Sequence, residues 1–271
     1  MKKILAVFTC FNRKEKTLNC LKSLNSNNVK ISFIAVDDNS DDGTYESLSL
    51  YPDVQVIRGD GNCFYSGGMR LGIAAAQKRL NEQFDYVMFF NDDVEFYPNA
   101  IDRLVQFENN RNEITVGAVC DDEGHLSYGG ALVNKKYKPE YINVMSESSN
   151  RVYCDTFCAN CVLIPVSIFE RLPNIDVAYL HAMGDFDYGH TAARLGYKIT
   201  VSDFFVGVCN DNPITNTWRD TSLKRSVRIK KKESVKGLPF YPYYHFLYKN
   251  HGFVKAVVYS ITPYLRILFK R

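Results

Sequence analysis

Apolar runs alternate with stretches of helical periodicity through the first third of the chain. The runs are short and almost continuously apolar, and they read ILAVFTC, SFIAVDD, VQVIRG and DYVMFF. Between them, Leu18, Leu21 and Leu24 recur at helical spacing, and a second helical period begins at Met69. Strands without polar alternation, separated by helices, are typical of a parallel sheet buried on both faces. The pattern therefore predicts an α/β fold with helices on both faces of a mostly parallel central sheet.

A cluster of polar residues follows each of these predicted strands. In chain order the clusters are TCFNR, DDNSDDGT, GDGNCFYSGG and NDD. The carboxyl ends of parallel strands meet at one edge of a sheet, where α/β proteins bind their ligands. We therefore expect the four clusters to line a single crevice.

The second half of the chain is less regular. It contains the strand-like runs TVGAVC, CVLIPV and KITVSDFFVGV, a helix that begins near GDFDY, and a variable segment at 121–153. From residue 211 the chain becomes basic and aromatic, with eight Lys or Arg between 219 and 236. We expect one α/β domain over residues 1–210 and a helical extension over 211–271.

Composition and cysteine usage indicate an ordinary soluble protein of the cytoplasm. The 271 residues are 46% hydrophobic and 23% charged, which suits an α/β domain with a buried core. The apolar run ending at Cys10 is too short for a signal peptide, so the eight cysteines are expected to be reduced. Cys154, Cys158 and Cys161 match no common zinc spacing, and a metal site there is the lesser alternative. No window reaches the roughly 18–20 apolar residues of a membrane span.

Asp92 and Asp93 are adjacent at the end of a predicted apolar strand. Two carboxylates about 4 Å apart repel by about 1 kcal/mol in water and about 4 kcal/mol at an effective dielectric near 20. A divalent cation such as Mg²⁺ or Mn²⁺ is the natural counter-charge, because hard cations prefer oxygen ligands. The alternative is a turn before a helix, with both acids facing solvent.

The stretch IAVDDNSDDGT also has two interpretations. Its Asp, Asn, Ser and Gly residues form turns readily, so it can be a simple loop. Alternatively, an acid at this strand end accepts hydrogen bonds from a nucleotide. A dinucleotide-binding domain would need a glycine-rich turn after the first strand, and TCFNRKE stands there instead, so NAD is excluded.

Taken together, TCFNR, VDDNSDDGT, GNCFYSGGMRLG, NDD and GDFDYGHTAARLGYKI resemble the family-2 glycosyltransferases over residues 4–210. The resemblance implies a GT-A fold and inverting transfer from a UDP- or dTDP-sugar. It also implies a donor-binding part over about 1–95 and an acceptor part over about 96–210. The spacing of GNCFYSGG is similar to the bacterial polysaccharide branch that transfers rhamnose or galactose.

The resemblance assigns donor-binding roles position by position. The positions are Thr9, Asn12, Asp38, Asn62, Gly67, Gly68, Arg70 and Asp92. Among them, Asp38 matches the acid that accepts the N3–H of uracil or thymine. Arg70 stands where many relatives have Asn, and it is expected to pair a phosphate or to support Asp92.

The resemblance also assigns the chemistry. Asp93 matches the ligand of Mn²⁺ or Mg²⁺, and Asp185 in GDFDY matches the catalytic base, although Gly184 replaces the usual Glu. The alternative for Asp185 is a capping role at the following helix. A His that binds the metal in many relatives is replaced here by Cys209 and Asn210.

Three further residues are weaker candidates for binding the acceptor, which is expected to be a glycan or a lipid-linked glycan. They are His181, Asp187 and Trp218.

The basic, aromatic tail is expected either to contact anionic lipid at the inner face of the cell membrane or to pack on the core. No sequence resembling a nucleic-acid-binding module accompanies it. Two other functions remain open: a non-catalytic sugar-binding relative, and a nucleotidyltransferase that makes nucleotide sugars. The second would need a basic glycine-rich loop after the first strand, which the chain lacks.

Overall fold

The computed structural model describes residues 1–134, 137–148 and 150–269. Twelve strands lie in these ranges: β1 Lys2–Cys10, β2 Val29–Asp37, β3 Val54–Arg58, β4 Tyr86–Phe90, β5 Glu95–Phe96, β6 Ile114–Cys120, β7 Leu126–Tyr128, β8 Gly130–Asn134, β9 Glu140–Val144, β10 Thr156–Phe157, β11 Cys161–Pro165 and β12 Ile199–Val208. Nine α-helices accompany them: α1 Lys14–Ser23, α2 Thr44–Leu48, α3 Phe64–Gln77, α4 Ala100–Glu108, α5 Val166–Phe169, α6 Gly184–Arg194, α7 Arg225–Glu233, α8 Phe240–His251 and α9 Phe253–Phe269.

The central sheet has the order β3-β2-β1-β4-β11-β6-β12-β5, with β7 paired to β6. The first four strands of that order are mutually parallel. β11 runs antiparallel between β4 and β6, so β6 and its parallel partner β12 point the same way as β1. The predicted mostly parallel α/β sheet is therefore confirmed, with antiparallel strands inserted in its second half.

Helices cover both faces of this sheet. On β1, Leu5 and Val7 face one apolar core, which α3 completes, whereas Ile4 and Phe8 face the other, which α1, α2 and α4 complete. Because every residue from Ile4 to Phe8 is fully buried, the strand shows no polar alternation in its sequence. This is why the sequence predicted a buried parallel strand.

Helix α3 approaches β1 unusually closely. A Cβ added at Gly68 would lie 2.4 Å from the Thr9 Oγ1, and one at Gly72 would lie 2.5 Å from a methyl of Val7. Any larger residue would push the helix off the strand. Gly68, predicted only as a donor-binding residue, thus also has a packing role.

Local expectations fail at two places. Asn before a helix commonly caps it, but Asn99 precedes α4 with a left-handed φ of 59° and its side chain makes no capping hydrogen bond. In the variable segment, β8 and β9 form a small antiparallel sheet with β10 that the sequence did not predict. Residues 135, 136 and 149 of that segment lie outside the described residues.

The C-terminal extension is helical, as predicted, and it docks on α6 through charged side chains. The Asp187 carboxylate accepts hydrogen bonds from Lys249 Nζ at 2.7 Å and from Asn250 Nδ2 at 2.9 Å. Asp176 accepts two more from α8, donated by His245 at 3.0 Å and by Lys249 at 3.1 Å. Within the described ranges, none of the helices has the length and apolar character needed to cross a bilayer.

Candidate functional site

The loops after β1, β2, β3 and β4 meet at one edge of the sheet and are hydrogen-bonded to one another. The Asn12 amide donates to Ser40 Oγ at 2.9 Å, and the Asn12 side-chain oxygen accepts from the Asp41 amide at 2.9 Å. The Gly59 amide donates to the Asp37 carbonyl at 2.7 Å. Asn12 therefore holds the loop after β1 against the loop after β2, and the converging loops form the predicted crevice.

Asp38 is buried beneath the loop that leads into α3. Its carboxylate accepts hydrogen bonds from three backbone amides, those of Gly61 at 3.0 Å, Cys63 at 3.1 Å and Phe64 at 2.9 Å. A carboxylate has about four acceptor sites, so most of the capacity of Asp38 is already used. Asp38 therefore fixes the shape of the loop that leads into α3, and its carboxylate can accept one further hydrogen bond.

A group of possible metal ligands gathers around this acid. Atoms of Asp38, Asp60 and Cys63 lie within 4.8 Å of one another. Burial raises the pKa of the Cys63 thiol to about 11, and that thiol donates to Asp60 at 3.5 Å. Because the thiol stays protonated and Asp38 is bound to amides, the group suits a hydrogen-bonded loop better than a cation.

The paired acids after β4 have a counter-charge within the chain itself. Arg13 Nη1 lies 3.2 Å from Asp92 Oδ1 and 3.0 Å from Asp93 Oδ2. Thr17, in the first turn of α1, donates to the other oxygen of Asp92 at 2.9 Å. The sequence analysis missed Arg13. Its position in TCFNR, at the end of β1, could have indicated that it lies at the same edge of the sheet as Asp92 and Asp93.

The two acids differ sharply in environment. The Asp92 side chain is 6% exposed, and burial raises its pKa to about 6, with Arg13 opposing that rise and Asp93 adding to it. The Asp93 side chain is 26% exposed and opens toward the crevice. Cys209 donates to Asp93 Oδ1 at 3.7 Å, and burial raises the pKa of this thiol to about 12. Cys209 is therefore a weak hydrogen-bond donor to Asp93.

Asp185 lies in the first turn of α6. One carboxylate oxygen accepts from the Phe186 amide at 2.9 Å, and the other accepts from the Ala159 amide, just before β11, at 3.3 Å. Burial raises the pKa of Asp185 despite these hydrogen bonds. The acid thus satisfies one amide of α6, as the capping alternative required, but its raised pKa also suits a proton acceptor.

The segments that carry Asp93 and Asp185 are linked by hydrogen bonds. Burial raises the pKa of Tyr65 well above its ordinary value, and the charges of Asp185 and Asp93 add to that rise. The Tyr65 side chain therefore lies within electrostatic reach of both acids. The Asn91 amide, just before the acid pair, donates to the Asn160 carbonyl at 3.3 Å, which ties the β4 loop to the strand next to Asp185. Sequence analysis missed Tyr65, since an aromatic residue at a helix start usually belongs to the core.

Arg70 has a different partner from the one predicted. Its Nη1 donates to the carbonyls of Asp176 at 3.1 Å and Tyr179 at 3.0 Å, so it holds the loop that precedes α6. The expectation that Arg70 supports Asp92 is wrong, because Arg13 and Thr17 do so.

A close contact explains why glycine stands at position 184. A Cβ at this position would lie 2.4 Å from Ser66 Oγ. The helix start of α3 therefore leaves no room for the Glu that the family commonly has here.

The three weaker acceptor candidates lie in different settings. His181 is half-buried four residues before Asp185, and its Nδ1 is enclosed without a hydrogen-bond partner among the described residues. Burial lowers the pKa of His181, and the nearby charges of Lys236 and Arg13 lower it further. Asp187 is bound to α8 and is not available to an acceptor. Trp218 lies in the extension, with the Arg219 guanidinium 5.3 Å from its ring centre.

The remaining predicted donor residues flank Asp38 and the start of α3. Asn62 is exposed, and its amide donates to Asp60 at 2.8 Å. Gly67 is buried, and Thr9 donates to the Val36 carbonyl at 3.1 Å. These residues therefore lie on the loop that leads into α3 or beside it.

The sequence profile described as "Glycosyl transferase family 2" matches residues 6–162, which is more than half of the chain. The chain belongs to this family. The match spans the four converging loops and both acids after β4. The recognition made from the five motifs is thereby confirmed at the level of the family, and the protein is a glycosyltransferase.

Two further similarities agree with this membership. The chain is 22% identical over 213 residues to the low-salt glycan biosynthesis hexosyltransferase Agl10 of Haloferax volcanii, covering 75% of this chain and 67% of that protein. It also resembles the solved structure of the mannosyltransferase PcManGT from Pyrobaculum calidifontis in complex with GDP-Man and Mn²⁺. That likeness has a TM-score of 0.53 at 14% identity and covers 98% of this chain and 73% of the other. At this identity the structural likeness supports the GT-A fold alone.

Proposed function

We propose that this family-2 glycosyltransferase moves a hexose from a nucleotide diphosphate sugar to a glycan or lipid-linked glycan, with inversion, in surface polysaccharide synthesis. The similarity to a hexosyltransferase of glycan biosynthesis supports the reaction class. The solved neighbour holds a nucleotide sugar, GDP-Man, together with Mn²⁺. We propose UDP or dTDP as the donor nucleotide and keep a GDP-sugar as the alternative that this neighbour suggests.

The observation that supports the proposal is the link between the loops that carry Asp93 and Asp185. The Asn91 amide donates to the Asn160 carbonyl at 3.3 Å, and the adjacent Ala159 amide donates to the Asp185 carboxylate at 3.3 Å. A glycosyl transfer needs a proton acceptor and a diphosphate site within one substrate length of each other. The arrangement supplies both from the same crevice.

We propose that residues 1–95 form the donor part of the site and residues 96–210 the acceptor part. In the donor part, the amide-bound Asp38 has one acceptor site left for the base. Asn12, beside it, clamps the β1 and β2 loops. In the acceptor part, His181 stands four residues before Asp185, and its Nδ1 has no hydrogen-bond partner among the described residues. We no longer propose Asp187 as an acceptor residue.

The residues after β4 fit a divalent cation that keeps most of its ligands from water and substrate. Asp93 offers a hard oxygen donor on a partly exposed side chain, whereas Cys209 is protonated and Asn210 faces Asp122. Asp93 would therefore hold Mn²⁺ or Mg²⁺, which typically use one or two protein carboxylates and substrate phosphates. When bound, such a cation neutralises charge on the departing diphosphate.

A residue of this chain can take the proton that the acceptor hydroxyl releases. In a single displacement, the acceptor oxygen forms a bond to the anomeric carbon while the bond to the diphosphate oxygen breaks. The hydroxyl proton moves to a carboxylate oxygen of Asp185. A general base works best when its pKa approaches the working pH, and burial moves the pKa of Asp185 in that direction.

The decisive test is Asp185→Asn. We expect transfer to be abolished while nucleotide-sugar binding, measured by calorimetry, is retained, because the amide keeps the shape but cannot take a proton. Wild-type transfer should fall toward acid pH with a midpoint above the ordinary Asp value of 3.8. Asp53→Asn, just before β3 and so at the opposite edge of the sheet, is the matched control. Equal loss of binding and transfer in Asp185→Asn would contradict the base role.

A non-catalytic sugar-binding relative is the remaining alternative. It would bind the nucleotide sugar without turning it over, so donor hydrolysis in the presence of Mn²⁺ separates the two. The nucleotidyltransferase alternative has lost its support, because the family that matches is one of glycosyl transfer.

We further propose a cytoplasmic protein that works at the inner face of the cell membrane. The basic C-terminal extension and a lipid-linked acceptor support this location.

A further inference from the structure

Helix α9 is apolar on the side that faces solvent. Its inner side, formed by Ala256, Ser260, Pro263 and Ile267, is buried. At about 3.6 residues per turn, one set of side chains falls on the opposite side. That set is Val254, Val257, Val258, Ile261, Leu265, Leu268 and Phe269, each between 39% and 80% exposed.

Scattered exposed apolar residues are normal on a protein surface, but a continuous face of seven is not. A helix at the surface usually carries polar residues on its outer face. We call these seven side chains the outer face of α9. Their pattern indicates a surface that is covered when the protein works.

The outer face cannot become buried by rotation of the helix. The inner side packs against α7 and α8, and Tyr264 fixes this packing from one flank. The Tyr264 hydroxyl donates to Glu233, and Lys232 Nζ lies 3.9 Å from the Tyr264 ring centre. Lys232 itself is fully buried, so α7 and α9 are joined by a buried charge. The surface therefore needs an external partner.

Charge identifies that partner. Residues 211–271 contain thirteen Lys or Arg and three Asp or Glu, whereas residues 1–210 contain twenty and twenty-seven. Arg266 on α9 and Lys224, Arg225 and Lys230 on or beside α7 are exposed. A second copy of the chain would bring a surface of the same positive sign. An anionic membrane surface satisfies both the apolar face and the basic residues.

We propose that the outer face of α9 lies in the headgroup layer of an anionic membrane, with the exposed basic residues of α7 on lipid phosphates. The inner packing keeps the helix on the membrane surface. Because Lys249 of α8 is bound to Asp187, two residues after Asp185, the docked extension would hold the crevice at a fixed distance from the lipid.

The test is flotation of the full chain with vesicles of phosphatidylcholine, with or without phosphatidylglycerol. We expect the wild type to float with the anionic vesicles at low salt and to dissociate as salt rises, because salt screens charge. The triple variant Val258→Ser, Ile261→Ser, Leu265→Ser should lose at least tenfold in bound fraction. A control triple, Leu50→Ser, Val177→Ser, Leu195→Ser, removes apolar side chains that are even more exposed and lie elsewhere, and it should float like the wild type.

Folding and activity controls keep the outcomes separate. Each variant should keep the wild-type melting temperature and nucleotide-sugar hydrolysis, both measured without vesicles, so failure of the proposed function does not affect this test. If the first triple fails to fold, Val254→Ser, Leu268→Ser at the two ends of the face replaces it.

Three results would overturn the proposal. They are wild-type protein that does not float at low salt, α9 variants that float as well as the wild type, and a stable wild-type dimer that the α9 variants convert to monomers without any vesicle binding. The third would assign the face to a second copy of the chain.

Discussion

Replacing Asp92 by Asn should favour the folded protein more at neutral pH than at acid pH, although it removes an ion-paired acid. Burial raises the pKa of Asp92 from 3.8 to about 6. Below pH 3 the carboxyl is largely protonated in both the folded and the unfolded chain and contributes almost nothing to the pH dependence. Between pH 4 and 6 the unfolded chain releases the proton first, so the folded state loses stability as pH rises.

The magnitude follows from the size of the shift. About two pKa units correspond to about 3 kcal/mol of unfolding free energy, at roughly 1.4 kcal/mol for each unit. Asn does not titrate, so the free energy of unfolding of Asp92→Asn minus that of the wild type should grow by about 3 kcal/mol between pH 3 and pH 7. Any hydrogen bond that the amide loses to Arg13 or Thr17 is a constant offset and cancels in this difference.

Urea unfolding at several pH values, with EDTA present, measures that difference. Asp85→Asn is the control of opposite sign: burial raises the pKa of Asp85, but the Lys3 amide and Lys2 together outweigh it and hold this pKa below its usual value. Its replacement should cost stability at neutral pH and little at low pH. A difference for Asp92→Asn that is the same at every pH, or that shrinks as pH rises, would refute the reasoning.

Three further changes test other parts of the structure. Arg13→Gln should bind Mn²⁺ alone about three- to tenfold more tightly by calorimetry, because it removes a partly exposed cation 3.0 Å from Asp93; weaker binding would contradict this. Gly184→Ala should lower the unfolding free energy by about 1–3 kcal/mol in urea, since its Cβ would overlap Ser66, and adding Ser66→Gly should restore most of the loss. Lys249→Met should cost about 1.5–3 kcal/mol in urea unfolding, because a buried carboxylate loses a charged hydrogen bond, whereas Lys78→Met, at an exposed position, serves as comparison.

Local sequence patterns predicted the first half of the sheet because burial there is continuous. Every residue of β4 is buried, and most of β1 is, so the apolar runs alone mark these strands. The small sheet in the variable segment could not be predicted in this way. β9 alternates exposed and half-buried residues, and β8 pairs with β10 across more than twenty residues of intervening chain. Such a pairing depends on distant contacts and leaves little periodic signal.

The acids of the site could be predicted, whereas their partners could not. Asp38 and Asp93 stand at strand ends, where topology alone brings them to one crevice. Arg13, however, finds its acid 80 residues away in the chain, and Asp187 finds Lys249 at a separation of 62. The sequence analysis offered Arg70 as a phosphate partner or as a support for Asp92, because a basic residue carries no local mark of its partner. In the folded chain Arg13, in the loop after β1, reaches both carboxylates, whereas Arg70 on α3 reaches the carbonyls of Asp176 and Tyr179.

The unequal environments of Asp92 and Asp93 indicate different roles for the two acids. Asp92 is nearly buried and is bound both by Arg13 and by Thr17, which belongs to the packed helix α1. Asp93 is more exposed and is bound only by the same guanidinium and by a weak thiol donor among the described residues. Because the Arg13 side chain is itself 45% exposed, it can move away at modest cost when a cation and a diphosphate bring opposite charges into the crevice. Asp92 would then keep its hydroxyl partner and position the loop, while Asp93 would be free to bind the cation.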